Sequence, residues 1–165
     1  SISLGPMIHG IPVGLPVFFV PLVLNSFLLV RLYDIQSFWK RFSLSVGLVL
    51  LIDAVLDPAA VALGIWSYGG GLFYGVPLSN FGGWLLSASI CLLVLEYVFR
   101  DINVDGRLRS TDYMLDDMVS FVFLWGIINL YYLNPVPVLI AAGFGVALYQ
   151  NGRFSMALEE ITDKS

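Results

Sequence analysis

Two carboxylic acids stand four residues apart, at Asp53 and Asp57, inside an apolar run that starts near Phe42. Four residues is close to one helical turn, so both side chains project from one face. At about 1.5 Å per residue, Asp53 lies about 16 Å along such a helix, near the middle of a bilayer, with Asp57 about one turn further. A carboxylate in hydrocarbon is costly to keep ionised. An acid at that depth is therefore paired, hydrogen-bonded, protonated or set beside a wet cavity. Asp57 also has a local explanation, because Asp before Pro58 is an N-cap with proline at the first helical position and would start a second half-helix there. Asp53 has no such explanation.

After the acids, residues 64–81 carry no charge but hold Trp66, Tyr68, Phe73, Tyr74 and Phe81 among Gly69, Gly70, Gly71 and Gly75. Glycine permits positive φ and close backbone approach, so this segment reads as an aromatic lid or re-entrant loop, or else as an interfacial aromatic belt. A protonated acid facing aromatic rings in an apolar chamber suits proton-initiated addition to an isoprenoid double bond, since ring faces stabilise a developing carbocation. Proton-relay transporters bury acids as well. Other chemistries lack their residues. There is no Gly-rich phosphate loop with Lys, no HExxH and no CxxC, and the lone His9 cannot build a metal cluster or a nucleophilic triad.

The elements that must position these groups are helices in a membrane. With 58% hydrophobic and 12% charged residues and a mean hydropathy of +0.86, the chain lies far from the soluble norm of about 25% charged. Its 165 residues allow about five spans at about 20 residues each. The expected fold is an all-α polytopic transmembrane bundle with the aromatic Gly-rich loop as its non-helical part. Residues 1–150 form one domain, and 151–165 a short polar tail. The spans read Ile11 to Leu32, Phe42 to Leu63, Gly82 to Phe99, Tyr113 to Leu133 and Val138 to Tyr149. Pro12, Pro16 and Pro21 kink the first of them unless neighbours compensate. Asn25 and Asn129 are midspan groups suited to helix bridging, and Gly143 and Gly145 to close helix approach. Glu96 snorkels or pairs with a nearby Arg, and Asp112, Asp116 and Asp117 sit where a helix dipole favours negative charge. Cys91 reads as a small buried side chain, and Trp39 as an interfacial ring.

All eight Lys and Arg fall in the first loop, the third loop and the tail: Arg31, Lys40, Arg41, Arg100, Arg107, Arg109, Arg153 and Lys164. The positive-inside rule then places a cytoplasmic C-terminus, an external start and the aromatic loop outside a multi-pass cell-membrane protein. A net charge of −4 with no basic stripe argues against nucleic acid as a partner. The chain starts at Ser1 with neither an initiator Met nor a charged n-region, which reads as a start partway into a longer product or after processing.

The run from Asp53 through Asp57-Pro58, Gly64-Ile65-Trp66-Ser67-Tyr68 and Phe73-Tyr74-Gly75-Val76-Pro77-Leu78-Ser79-Asn80-Phe81-Gly82-Gly83-Trp84 closely resembles the carotenoid 1,2-hydratase family of the bacterioruberin and γ-carotene pathways, also labelled carotenoid biosynthesis protein. Leu4-Gly5-Pro6 with Gly10-Ile11-Pro12 and Pro16 resembles that family's first covered helix. The resemblance spans Leu4 to Trp84 and implies hydration of the terminal 1,2 double bond of an acyclic carotenoid ψ-end to a tertiary alcohol. No cofactor is implied. Asp53 would be the acid, with Asp57 holding its proton or orienting the water, or the two roles exchanged. Trp66, Tyr68, Tyr74 and Trp84 would line the end-group pocket, and Asn80 would position the water. Members of the family carry further helices upstream, so missing helices or other membrane subunits are expected partners beside the lipophilic substrate and membrane lipid. Two other functions fit the same residues: a non-catalytic carotenoid- or lipid-binding subunit of a larger complex, and a small proton-coupled carrier with Asp53 as relay.

Overall fold

In the computed structural model the longest apolar run becomes the longest helix, and the other helices pack around it. The structure describes residues 7–8, 11–12, 15–33, 35–104 and 116–150. Five helices follow one another: α1 (Leu15–Arg31), α2 (Phe38–Ala62), α3 (Leu78–Val98), α4 (Asp116–Tyr131) and α5 (Pro135–Gln150). Ahead of α1, Met7–Ile8 pairs antiparallel with Ile11–Pro12. Among the described residues, helix is otherwise the only extended element. Residues 1–6, 9–10, 13–14, 34, 105–115 and 151–165, with Leu4, Gly5, Pro6, His9, Gly10, Arg107, Arg109, Asp112, Tyr113, Arg153 and Lys164 among them, lie outside the described residues.

The boundaries correct several sequence expectations. The first helix starts at Leu15, after Pro12 has been used in the short ladder, and the third starts at Leu78, four residues before Gly82. Pro58 neither breaks α2 nor starts a new half-helix, since α2 runs unbroken from Phe38 to Ala62. Asp57 is thus an interior residue of α2 and not a cap.

The end of α2 follows from Gly64. Ile65 N donates to Ala60 O at 2.9 Å and Gly64 N to Val61 O at 3.0 Å, with Gly64 at φ 68°. This is the Schellman arrangement, in which a left-handed residue lets two stray carbonyls be satisfied. The same arrangement ends α4, where Asn134 N donates to Asn129 O and Leu133 N to Leu130 O. There the left-handed position is occupied by Leu133, at φ 58°, a conformation costly for a side-chain-bearing residue. Asn134 then caps α5, with Val138 N donating to its carbonyl and Pro135 at the first helical position.

α2 touches all four other helices. On one flank Val46 and Val49 pack with Val23 and Phe27 of α1 and with Ala88 and Leu92 of α3. On the other, Ile52 and Val55 pack with Met118 and Val122 of α4 and with Ala141 and Leu148 of α5. The α4–α5 hairpin closes at Gly126, where an added Cβ would come within 3.0 Å of the Ala141 Cβ, whereas Gly143 and Gly145 face open space. The close approach therefore uses a glycine of α4 and not the two of α5.

α2 and α3 are long and apolar enough to cross a membrane. They differ in cover. α2 is enclosed by its neighbours, while α3 turns Leu86, Ile90, Val94, Tyr97 and Val98 outward, each at least half exposed. α4 does the same with Phe123, Leu124, Ile127 and Leu130. Apolar patches of this extent mark a surface that meets lipid or another protein.

At the end bearing the basic loops, Glu96 of α3 accepts from Arg31 Nη2 at 2.7 Å and from Arg41 Nε and Nη2 at 3.2 Å. Arg41 Nη1 also donates to the carbonyls of Ile35 and Gln36, each at 2.9 Å, which locks the α1–α2 connection. Glu96 is paired as anticipated, but with arginines of α1 and α2. Nearby Arg100 pairs with its exposed neighbour Asp101.

Candidate active site

The opposite end of α2 carries the two acids. Both are buried, Asp53 at 0% and Asp57 at 1% exposure, and their spacing of one turn puts them on the face that meets the first turn of α3. Leu78 opens α3 after an extended Pro77, so Asn80 lies in that first turn and its amide reaches back to the pair. Asn80 Nδ2 donates to Asp57 Oδ2 at 2.5 Å and reaches Asp53 Oδ2 at 3.4 Å. One amide group thus bridges both carboxyls.

The connection between α2 and α3 supplies the third partner. The Tyr68 hydroxyl lies 2.9 Å from Asp57 Oδ2 and 3.2 Å from Asn80 Oδ1, and its single proton serves one of these acceptors at a time. Burial, and after it the charge of the neighbouring Asp57, push the Tyr68 phenol above its ordinary range, which keeps it a donor. Asp53 Oδ1, Asp57 Oδ1 and Trp66 Nε1 are buried without a hydrogen-bond partner. Among the described residues no cation pairs with either aspartate.

The chain returns to α2 by a tight hairpin. Phe73 and Val76 exchange both backbone hydrogen bonds, Phe73 N to Val76 O at 3.2 Å and Val76 N to Phe73 O at 2.9 Å. Between them Tyr74 and Gly75 stand at φ 50° and 86°, as a two-residue turn with both residues left-handed requires. Asn-Gly is the usual pair there, and Tyr74 is a strained substitute. Its hydroxyl accepts from Val136 N at 3.2 Å, tying the turn to the start of α5. At Gly71 an added Cβ would fall 2.1 Å from the Val76 carbonyl carbon, so only glycine fits beneath the hairpin.

Of the residues singled out from sequence, Asp53, Asp57, Tyr68 and Asn80 form one hydrogen-bonded cluster. Trp66 Nε1 lies alongside the Tyr68 hydroxyl, outside hydrogen-bonding geometry. Tyr74 and Trp84 are engaged elsewhere, Tyr74 at α5 and Trp84 against Phe19 of α1, with ring centroids 5.1 Å apart. Gly71, one of the loop glycines expected to allow close backbone approach, does so beneath Val76, a partner that appears only once the hairpin folds over it. Asn129, read as a helix contact, does bridge helices: its Nδ2 donates to Val55 O at 2.7 Å and to Trp125 O at 2.9 Å. That braces α2 between the two acids from the α4 side.

An apolar cavity of about 570 Å³ opens away from the acids, between α1, α2 and α5 along Leu44, Gly47, Leu48 and Leu51, another face of α2. Its lining holds the hydroxyls of Tyr33 and Ser43 but no carboxyl. Among the described residues no three His, Cys, Asp or Glu side chains gather as a metal-ligand set.

A curated bisanhydrobacterioruberin hydratase from Haloarcula japonica is 48% identical over 164 residues, covering 97% of this chain and 56% of the relative. The chain thus spans about half the length of the curated relative it matches. No solved structure matches it. The sequence model of the family described as carotenoid biosynthesis protein matches residues 1–148, and this chain belongs to that family.

Proposed function

We propose that this chain hydrates the terminal 1,2 double bond of an acyclic carotenoid, giving a tertiary alcohol. The observation that carries this reading is a buried pair of carboxyl groups with no cation among the described residues, bridged by Asn80 and joined by Tyr68. The 48% identical relative is named for hydration of bisanhydrobacterioruberin, which supports the same reaction class here.

In the proposed step the Asp53 carboxyl gives its proton to C2, forming a C–H bond and leaving a tertiary cation at C1. A water oxygen then bonds to C1 and passes a proton to the Asp57 carboxylate. Transfer of that proton from Asp57 to Asp53 restores the starting state. The sum is the addition of one water with no change of oxidation level, so the chemistry calls for no redox cofactor. The Trp66 ring supplies an apolar, electron-rich wall for the cation. Tyr68 and Asn80 hold Asp57 in place, as hydrogen-bond partners do for an acid–base pair.

We place the chain in the membrane as five spans, with the basic ends of α1, α2 and α3 cytoplasmic, the C-terminus on that side, and the loop between α2 and α3 outside. The outward apolar faces of α3 and α4 support this placement. A C40 or C50 polyene would then lie along α3 and insert its end beside Asn80. Gly83, one turn on from Asn80, is exposed and has nothing within 4 Å of where a Cβ would stand, which leaves a smooth track.

The test is pigment mass analysis in cells that accumulate lycopene, expressing this chain or Asp53→Asn. A product heavier by one water from the wild type and none from Asp53→Asn is expected. Unchanged lycopene from folded wild-type protein would favour a carotenoid-binding subunit instead.

A further inference from the structure

The acid pair leaves three polar atoms over. Asp57 Oδ1 is an acceptor, Trp66 Nε1 is a donor, and Asp53 Oδ1, turned away from Asn80, donates while its carboxyl holds the proton and accepts once that proton has left; all three are buried outside normal hydrogen-bond geometry. Such atoms are uncommon in folded proteins, because each has given up water without replacement. They belong to one cluster. Trp66 Nε1 lies alongside the Tyr68 hydroxyl, which is 2.9 Å from the other oxygen of Asp57. The remaining polar groups that face the pair are already engaged, Asn80 through Nδ2 to both aspartates and through Oδ1 to Tyr68. What complements an acceptor, a donor and a carboxyl oxygen that changes between the two is a single oxygen that can both donate and accept, which is the chemistry of water or an alcohol.

We propose that the Trp66 indole N–H and the Oδ1 atoms of Asp53 and Asp57 form a hydroxyl subsite, which holds the attacking water before reaction and the tertiary alcohol of the product after it. This rests on the hydratase reading and assigns Trp66 a second role beside that of its ring. The N–H holds the water through one lone pair and leaves the other for C1. As the C–O bond forms, the water's proton goes to Asp57. The donor stays in contact with the oxygen throughout, so Trp66 acts as a positioning residue. The same contact retains the product alcohol, and a hydrocarbon end has nothing to offer it.

Trp66→Phe separates the two roles, because it keeps an aromatic face and removes the N–H. The experiment uses the full chain in membranes, with two probes, lycopene and 1-hydroxy-1,2-dihydrolycopene. Binding of each and the kcat and KM for lycopene are measured. The wild type is expected to hold the hydroxylated end about tenfold more tightly than the hydrocarbon end, and Trp66→Phe to lose that preference. Its kcat is expected to fall about tenfold with KM for lycopene unchanged. A Trp66→Phe protein that keeps both the preference and the kcat overturns the subsite. Should that variant not accumulate, a wild type that binds the two probes equally overturns it as well. A wild type that hydrates nothing, yet prefers the hydroxylated end through Trp66, would sink the hydratase reading while upholding the subsite.

Discussion

Two polar clusters sit at opposite ends of α2, and they are built on opposite principles. At the basic end, both oxygens of Glu96 are taken up by Arg31 and Arg41, so opposite charges meet and three helices are clamped. At the other end, Asp53 and Asp57 are two acids side by side, with no cation among the described residues and one oxygen each outside hydrogen-bond geometry. A compensated cluster holds structure together. An uncompensated one costs stability, and proteins keep such sites where the chemistry needs them.

That contrast predicts opposite responses to removing an acid. Asp53→Asn should lower hydration by about 10²–10⁴-fold, the usual worth of a positioned acid, while leaving the thermal midpoint unchanged or raised, because a buried acid is removed. Measuring product mass and unfolding on the same preparation decides this. A large loss of stability would make the acid pair structural. Glu96→Gln should do the reverse, costing about 3 kcal/mol by leaving two arginines facing each other, with hydration per folded molecule unchanged.

Gly71→Ala sharpens the contrast from the backbone side. Its Cβ would collide with the Val76–Pro77 peptide, so the hairpin and Tyr68 must shift, and hydration should fall by at least about tenfold with the helices intact by circular dichroism. Gly83→Phe tests the track along α3. Open space surrounds that position, so stability should hold while the KM for carotenoid rises several-fold. The smallest effect belongs to Tyr74→Phe, which removes the acceptor for Val136 N and should cost about 1 kcal/mol in a denaturation midpoint. An equal loss of hydration in Tyr74→Phe and Tyr68→Phe would place Tyr74 in the chemistry after all.

The chain's own hydropathy and spacing determined a good deal: an almost wholly helical chain with helices apolar and long enough to cross a membrane, helices near the observed ones, and two acids on one face of the second. These are properties of a single segment, readable from its period of 3.6 and its apolar length. The resemblance of the stretch from Asp53 to Trp84 pointed to the family that the chain belongs to. Tertiary structure alone decided the partners. Tyr68 and Asn80 joined the acids, whereas Tyr74 went to α5 and Trp84 to α1, although all four share one aromatic stretch. Glu96 found Arg31 and Arg41 across helices, and Gly126 took the close approach in place of Gly143 and Gly145. The physical reason is common to all of these. A helix that is apolar all round carries no stripe to say which side faces its neighbour, so its rotation, and with it every contact between helices, is settled only when the helices pack.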